Sequence, residues 1–147
     1  MKEFLLPCLY AFAGCMAFCV IFQLRRWQHI VCASLSGAVG WLVYLLLAGS
    51  SNVVRGLMAT IMVAVLAEVF ARVFKAPAAV FLQIGIIPLV PGGGIYYTLE
   101  ALIGGDMALF VQKGLETVAF AGSIAVGCSL VASVARLLPR KRIKVKA

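Results

Sequence analysis

Charged side chains are scarce in this sequence. Only 12% of its 147 residues are charged and 64% are hydrophobic, whereas about 25% of the residues of a typical soluble domain are charged. A water-soluble globule of this length would lack the polar groups that cover a folded surface. The deficit excludes a soluble domain and indicates an integral membrane protein, whose apolar excess faces lipid.

Motifs for several kinds of chemistry are also missing. The sequence contains no GxxxxGK[ST], GxSxG or HExxH, so nucleotide-driven, serine-hydrolase and zinc-protease activities are unsupported. His29 is the only histidine and lies in a basic loop, and the five cysteines have no CxxC spacing. Cys8, Cys15 and Cys19 share one helical face, which suits buried packing better than a soft metal. We expect no enzyme activity, cofactor or metal site.

Five long apolar runs follow one another along the chain, at about residues 4–22, 30–49, 53–74, 78–95 and 117–138. Crossing the hydrocarbon core as a helix takes about 20 residues. We therefore expect an all-α integral membrane protein with about five transmembrane helices, in a single transmembrane domain over residues 1–147. A cleaved signal peptide is the alternative for the first run, although the run continues past Cys15.

The fourth run is interrupted by two prolines and three glycines, which cannot all lie inside a regular helix. At bilayer depth, irregular backbone is tolerated only where it is buried in protein or lines a water-filled cavity. A helix that restarts near Ile95 would point its free N–H groups into the break, and these groups suit a carboxylate. We therefore predict a substrate site formed by Pro88, Pro91, Gly92, Gly93, Gly94, Tyr96 and Tyr97.

Two simpler interpretations of this segment stay open. The break also fits a tight turn in a re-entrant loop without a ligand. Tyr96 and Tyr97 also fit an aromatic belt at the membrane interface.

The third run carries opposite charges at i,i+4 spacing, Glu68 and Arg72. This spacing predicts an ion pair near the interface, with Arg72 extending towards water. In the alternative interpretation Glu68 accepts and releases a proton as a cavity opens. Arg55 is expected to extend towards the headgroups, and Asp106 and Glu116 to be solvated loop charges.

The distribution of basic residues predicts the orientation. If the loop at Arg25 and Arg26 is cytoplasmic, ten of the thirteen lysines and arginines lie on that side. The N-terminus is then outside and the C-terminus inside. The basic tail, residues 139–147, is expected to meet anionic lipid headgroups rather than nucleic acid. In the last run a series of small residues predicts a helix contact, at Ala121, Ala125, Ser129 and Ser133.

Several of these residues together resemble the signature of the threonine/serine exporter family. They are Glu68 with Arg72, Lys75-Ala76-Pro77, Ile87-Pro88-Leu89-Val90-Pro91-Gly92, Tyr96 and Gly105-Asp106. The whole chain is similar to the small subunit of that family, in which a larger membrane protein is the partner. A related two-component pair exports succinate.

The resemblance implies a bacterial cytoplasmic membrane protein that works as a secondary transporter. It would export threonine, serine or a related small carboxylate. Because no nucleotide motif is present, we expect this export to be coupled to an ion gradient. The alternative function is a non-transporting scaffold that stabilises a partner membrane protein, which would use the same small-residue helix faces.

Overall fold

The computed structural model describes residues 2–137 of the chain, with side chains from residue 5 onward. The basic tail predicted for residues 139–147 lies outside this range. Between residues 2 and 137 the regular structure is entirely helical, which confirms the predicted class. The elements are α1 Lys2–Ile21, α2 Trp27–Leu46, α3 Asn52–Phe74, α4 Ala78–Ile86, a 3₁₀ turn Ile87–Leu89, α5 Gly92–Ile103 and α6 Met107–Leu137.

Three helices among the described residues, α2, α3 and α6, are long and apolar enough to cross a membrane. The pair made of Ala78–Leu89 and Gly92–Ile103 meets the same criteria together and is bent by 46°, as in a broken span or a re-entrant loop. The apolar part of α1, Leu5–Ile21, is shorter. The structure therefore has three candidate spans, or four if the bent pair is one span.

The bundle is organised around α2 and α3, which pack against each other and against α4. Helix α1 lies on α2, whereas α6 lies on α3 and carries α5 on its N-terminal part. Small residues predominate in the first core cluster, because they let helix backbones approach closely. Its members are Cys15, Cys19, Ala33, Ala67, Ala71, Phe81 and Ile84.

The cysteines of α1 take part in this packing. Cys15 and Cys19 are fully buried. The Cys15 thiol donates to the carbonyl oxygen of Ile84 at 3.4 Å, and the Cys19 sulfur lies 3.9 Å from the Ser34 hydroxyl oxygen. Both sulfurs thus fill the space between α1, α2 and α4.

Two helix boundaries differ from the sequence-based expectation. Helix α2 runs from Trp27 to Leu46 rather than over residues 30–49, so His29 is helical and not in a loop. Its ring packs edge-on against Phe74 and Phe81, with centroid distances of 5.3 and 5.4 Å. These edge-on contacts bury part of the imidazole among apolar rings.

Helix α6 begins at Met107, well before residue 117, where the last apolar run was expected to start. Asp106 caps it, because the backbone N–H of Leu109 donates to Asp106 Oδ1 at 3.0 Å. The preceding Gly105 has a φ of 78°, a conformation that suits glycine. Asp106 is therefore a helix cap, and Glu116 lies on a helix rather than in a loop.

The small-residue series of α6 is exposed in the part of the chain that the structure describes. Helix α6 instead packs through Ser123 and Gly127, its two buried residues among those described. The face that carries Ala121, Ala125, Ser129 and Ser133 is exposed and bears a groove of about 290 Å³.

Candidate substrate cavity at the helix break

The irregular backbone between α4 and α5 is short. The 3₁₀ turn ends at Leu89, and only Val90 and Pro91 separate it from α5. The backbone N–H of Ile95 donates to the carbonyl oxygen of Pro91 at 3.1 Å and so closes the first turn of the new helix. The expected restart near Ile95 was therefore wrong, because the three glycines form the first turn, where helical N–H groups lack partners in any case.

The break opens on a cavity of about 350 Å³. The 3₁₀ turn and the N-terminal turn of α5 form one side, and residues of α2, α3 and α6 form the others. Five of the seven residues predicted for the substrate site line this cavity, namely Pro88, Pro91, Gly93, Gly94 and Tyr97.

Gly92 and Tyr96 are not among the lining residues. Tyr96 is 63% exposed and packs edge-to-face on Tyr97, with the ring centroids 5.4 Å apart. On a helix, successive side chains point in different directions, so the two tyrosines face different surroundings.

Aromatic side chains from α2 and α6 form one wall of the cavity. Trp41 stacks on Tyr44 at a centroid distance of 5.2 Å, and Phe120 meets the Tyr44 ring edge-on at 6.0 Å. Sequence patterns did not reveal this wall, because it is assembled by helices that are far apart in the chain.

Arg55 contacts this aromatic wall through Tyr44. Its guanidinium carbon lies 4.0 Å from the centroid of the Tyr44 ring, and its Nε donates to the Tyr44 carbonyl oxygen at 3.1 Å. A cation over an aromatic face is attracted by the ring quadrupole. A cation near the last carbonyls of α2 also complements the dipole of that helix. Arg55 is thus partly buried against Tyr44, whereas the sequence suggested a side chain extended towards the headgroups.

An ion pair also lines the cavity. Lys113 Nζ lies 3.1 Å from Glu116 Oε2, and Gln112 Nε2 donates to Glu116 Oε1 at 3.3 Å. Both charged residues belong to α6 and line the cavity. Sequence reasoning missed this pair, although opposite charges at i,i+3 on an otherwise apolar helix were a usable signal.

Helices α5 and α6 approach closely beside the ion pair. A Cβ on Gly94 would lie 2.6 Å from Oγ1 of Thr117, so only glycine fits without a shift. The Thr117 hydroxyl donates to the carbonyl oxygen of Lys113 at 2.7 Å, and the Thr98 hydroxyl donates to that of Gly94 at 2.7 Å. Both threonines satisfy their hydroxyl groups within their own helices, which lets the helices meet without an unpaired polar group.

The predicted ion pair between Glu68 and Arg72 is not formed. Across the described residues 5–137 the salt bridge is that of Lys113 with Glu116. Arg72 instead donates from Nη2 to the carbonyl oxygen of Ala135 on α6, at 3.3 Å. Glu68 is half-buried and does not line the cavity. Because a helix rises about 1.5 Å per residue, Glu68 lies about 24 Å along α3 from the cavity residue Asn52.

A helical bundle with a cavity at a broken helix is an arrangement that many secondary transporters use. Residues 7–134 of the chain match the family described as "Threonine/Serine exporter, ThrE". The chain belongs to the threonine/serine exporter family, as the sequence motifs indicated, and this membership implies a transport role rather than an enzymatic one. No curated protein and no solved structure matches the chain.

Proposed function

We propose that this chain is the small subunit of a two-component exporter in the bacterial cytoplasmic membrane. It would export threonine, serine or a related small carboxylate, which binds in the cavity at the break. The observation that carries this proposal is the cavity of about 350 Å³ where Pro88, Pro91 and the first turn of α5 meet polar groups of α6. Irregular backbone of this kind is stable at bilayer depth when it lines an aqueous cavity.

The topology that we propose has five crossings in one transmembrane domain, with α1 as the first and the bent pair as the fourth. The N-terminus is outside and the C-terminus inside, because this orientation puts ten of the thirteen lysines and arginines on the cytoplasmic side. The basic tail would then lie at anionic lipid headgroups, with no role in nucleic-acid binding. In this orientation the C-terminal end of α2 and the N-terminal ends of α3 and α6 put the cavity in the outer half of the membrane.

A larger membrane subunit is the proposed partner. Five crossings make an odd number, so a second five-helix unit that followed in sequence would have the inverted topology used by many alternating-access carriers. The exposed small-residue groove on α6, formed by Ala125, Ser129 and Ser133, supports such a partner, because small residues let a second helix approach closely.

An ion gradient is the energy source that we propose, and Glu68 is its candidate proton carrier. A half-buried carboxylate in an apolar helix can exchange a proton with a cavity that opens towards it. Its separation from the break would place coupling and substrate binding in different halves of the protein.

The same α6 groove also favours a second candidate function, a scaffold that only stabilises a partner. The carrier and the scaffold functions can be distinguished in a strain that lacks the genes of this chain and of the larger subunit. Both genes are re-expressed there, and the export of threonine and serine is measured. A carrier subunit predicts that Gly94→Leu lowers the export of threonine or serine while partner abundance is unchanged. A scaffold predicts that export follows partner abundance alone, whichever cavity residue is changed.

A further inference from the structure

Two residues of the cavity wall carry a formal charge, Lys113 and Glu116. They form an ion pair at 3.1 Å, and their side chains are 38% and 53% exposed. We infer that this pair is the specificity-determining element of the site, with Lys113 receiving the carboxylate and Glu116 the ammonium group of an α-amino acid. This inference rests on the proposed function, because it concerns the substrate of the same cavity.

The charge balance of the cavity selects a zwitterion. Without substrate, the lysine and the glutamate neutralise each other, so the lining of the cavity has no net formal charge. An α-amino acid carries both charges on one carbon and replaces this contact with two new ion pairs, again with no net charge. A dicarboxylate would bring a second negative charge against Glu116, and this repulsion disfavours it.

The local geometry indicates which partner moves. Gln112 holds one oxygen of Glu116 while Lys113 holds the other, so Glu116 keeps a partner when Lys113 moves away. The lysine ammonium sits on a flexible four-carbon stem and is free to turn towards a ligand.

The first turn of α5 specifies the end of the cavity that takes the carboxylate. Gly93 and Gly94 line the cavity from this turn. The first N–H groups of a helix lack intrahelical partners and, with the helix dipole, favour an anion. A carboxylate between these N–H groups and Lys113 leaves the substrate ammonium for Glu116.

Ligand fragments test the assignment charge by charge. Ethanolamine is serine without its carboxylate, and 3-hydroxypropionate is serine without its ammonium group. The full chain in lipid nanodiscs carries Trp27→Phe, so that the remaining tryptophan, Trp41 in the cavity wall, reports binding by its fluorescence. Titrations with L-serine, ethanolamine and 3-hydroxypropionate then give three affinities for each variant.

Each of the two variants is expected to lose a different ligand preference. The parent chain should bind L-serine about ten- to hundredfold more tightly than either fragment, the effect of one charge-assisted contact. Lys113→Gln should remove the preference for L-serine over ethanolamine and keep that over 3-hydroxypropionate. Glu116→Gln should do the reverse. Arg136→Gln removes a charge from the other end of α6 and should change none of the affinities.

The outcomes separate this inference from the proposed function. If L-serine binds but the two variants weaken all three ligands equally, or none of them, the pairing is wrong while the cavity remains a substrate site. If L-serine gives no saturable signal with the parent chain, the cavity is not a serine site in this chain and the pairing is wrong, whereas the subunit role is tested separately by the export measurement with both genes. Lys113→Arg shows whether the loss in Lys113→Gln comes from the missing charge or from a folding defect. Because arginine retains the cation, it should restore the preference for L-serine over ethanolamine.

Discussion

Gly94 of α5 and Thr117 of α6 meet at a point where no side chain fits on residue 94. A Cβ there would lie 2.6 Å from the Thr117 hydroxyl oxygen and 3.2 Å from its methyl carbon. The contact lies in the wall of the proposed substrate cavity, so the spacing of the two helices and the shape of this cavity are set together.

The first prediction is that Gly94→Leu lowers export by about tenfold. Inserting a side chain at this contact forces α5 away from α6, and overpacking of this kind costs about 1–3 kcal/mol. Because each 1.4 kcal/mol corresponds to about tenfold in an equilibrium, a shift of that size is readily measured. Efflux of serine from cells with equal amounts of the protein is the measurement.

Gly92→Leu is the matched control for Gly94→Leu. A Cβ on Gly92 meets nothing within 4 Å, although the sequence predicted Gly92 as part of the substrate site. Export should therefore be nearly normal in the control. Equal effects of the two substitutions would show that the Gly94 contact does not shape the site.

The second prediction concerns the packing of α3 on α6. A Cβ on Gly127 would lie 3.1 Å from Thr60 Cβ and 3.3 Å from the carbonyl oxygen of Leu57. Gly127→Leu should therefore lower the free energy of unfolding by about 1–3 kcal/mol, measured by denaturation in detergent. Gly122→Leu is the control, because its Cβ meets nothing within 4 Å.

The direction of the stability change in the control variant, Gly122→Leu, is also predicted. Replacing a glycine by leucine in a helix interior gains up to about 1 kcal/mol in helix propensity, so Gly122→Leu should leave stability unchanged or slightly raised. A loss in Gly122→Leu as large as that in Gly127→Leu would contradict the observed packing of α6.

The third prediction is that Arg55→Gln weakens serine binding by about three- to tenfold in protein that still folds. The substitution removes the cation 4.0 Å from the Tyr44 ring centroid, an interaction of about 0.5–2 kcal/mol. Tyr44 would then position Trp41 and Phe120 less well. Binding is followed by the fluorescence of Trp41, and Arg55→Lys, which retains the cation, should give an intermediate affinity. An affinity unchanged in Arg55→Gln would show that the wall is rigid without the arginine.

The helical class and the break were predictable because they depend on local sequence. Long apolar runs need no tertiary information to indicate spans, and Pro88 and Pro91 exclude a continuous helix wherever they lie. The start of α6 was missed for the same local reason. Lys113 and Glu116 lower the apolar character of its first turns, while the capping signal at Asp106 was overlooked.

Contacts between distant segments could not be predicted in this way. The i,i+4 spacing of Glu68 and Arg72 permits an ion pair, but the carbonyl oxygen of Ala135 lies within reach of Arg72 only in the folded bundle. The placement of Tyr44 beside Phe120 likewise depends on how the helices pack. Sequence periodicity indicates which face of a helix is apolar, not which partner will cover it.

The last prediction is that Glu68→Gln abolishes the pH dependence of efflux while the protein still inserts into the membrane. Glutamine keeps the size and hydrogen-bonding capacity of the side chain but cannot exchange a proton, so only a role in coupling is lost. Serine efflux is measured at several external pH values in cells with equal amounts of the protein. Arg72→Gln is the control, because Arg72 bonds to Ala135 rather than to Glu68 and its loss should leave the pH profile intact. A pH profile unchanged in Glu68→Gln would exclude Glu68 as the proton carrier. Another ionisable residue would then carry the proton.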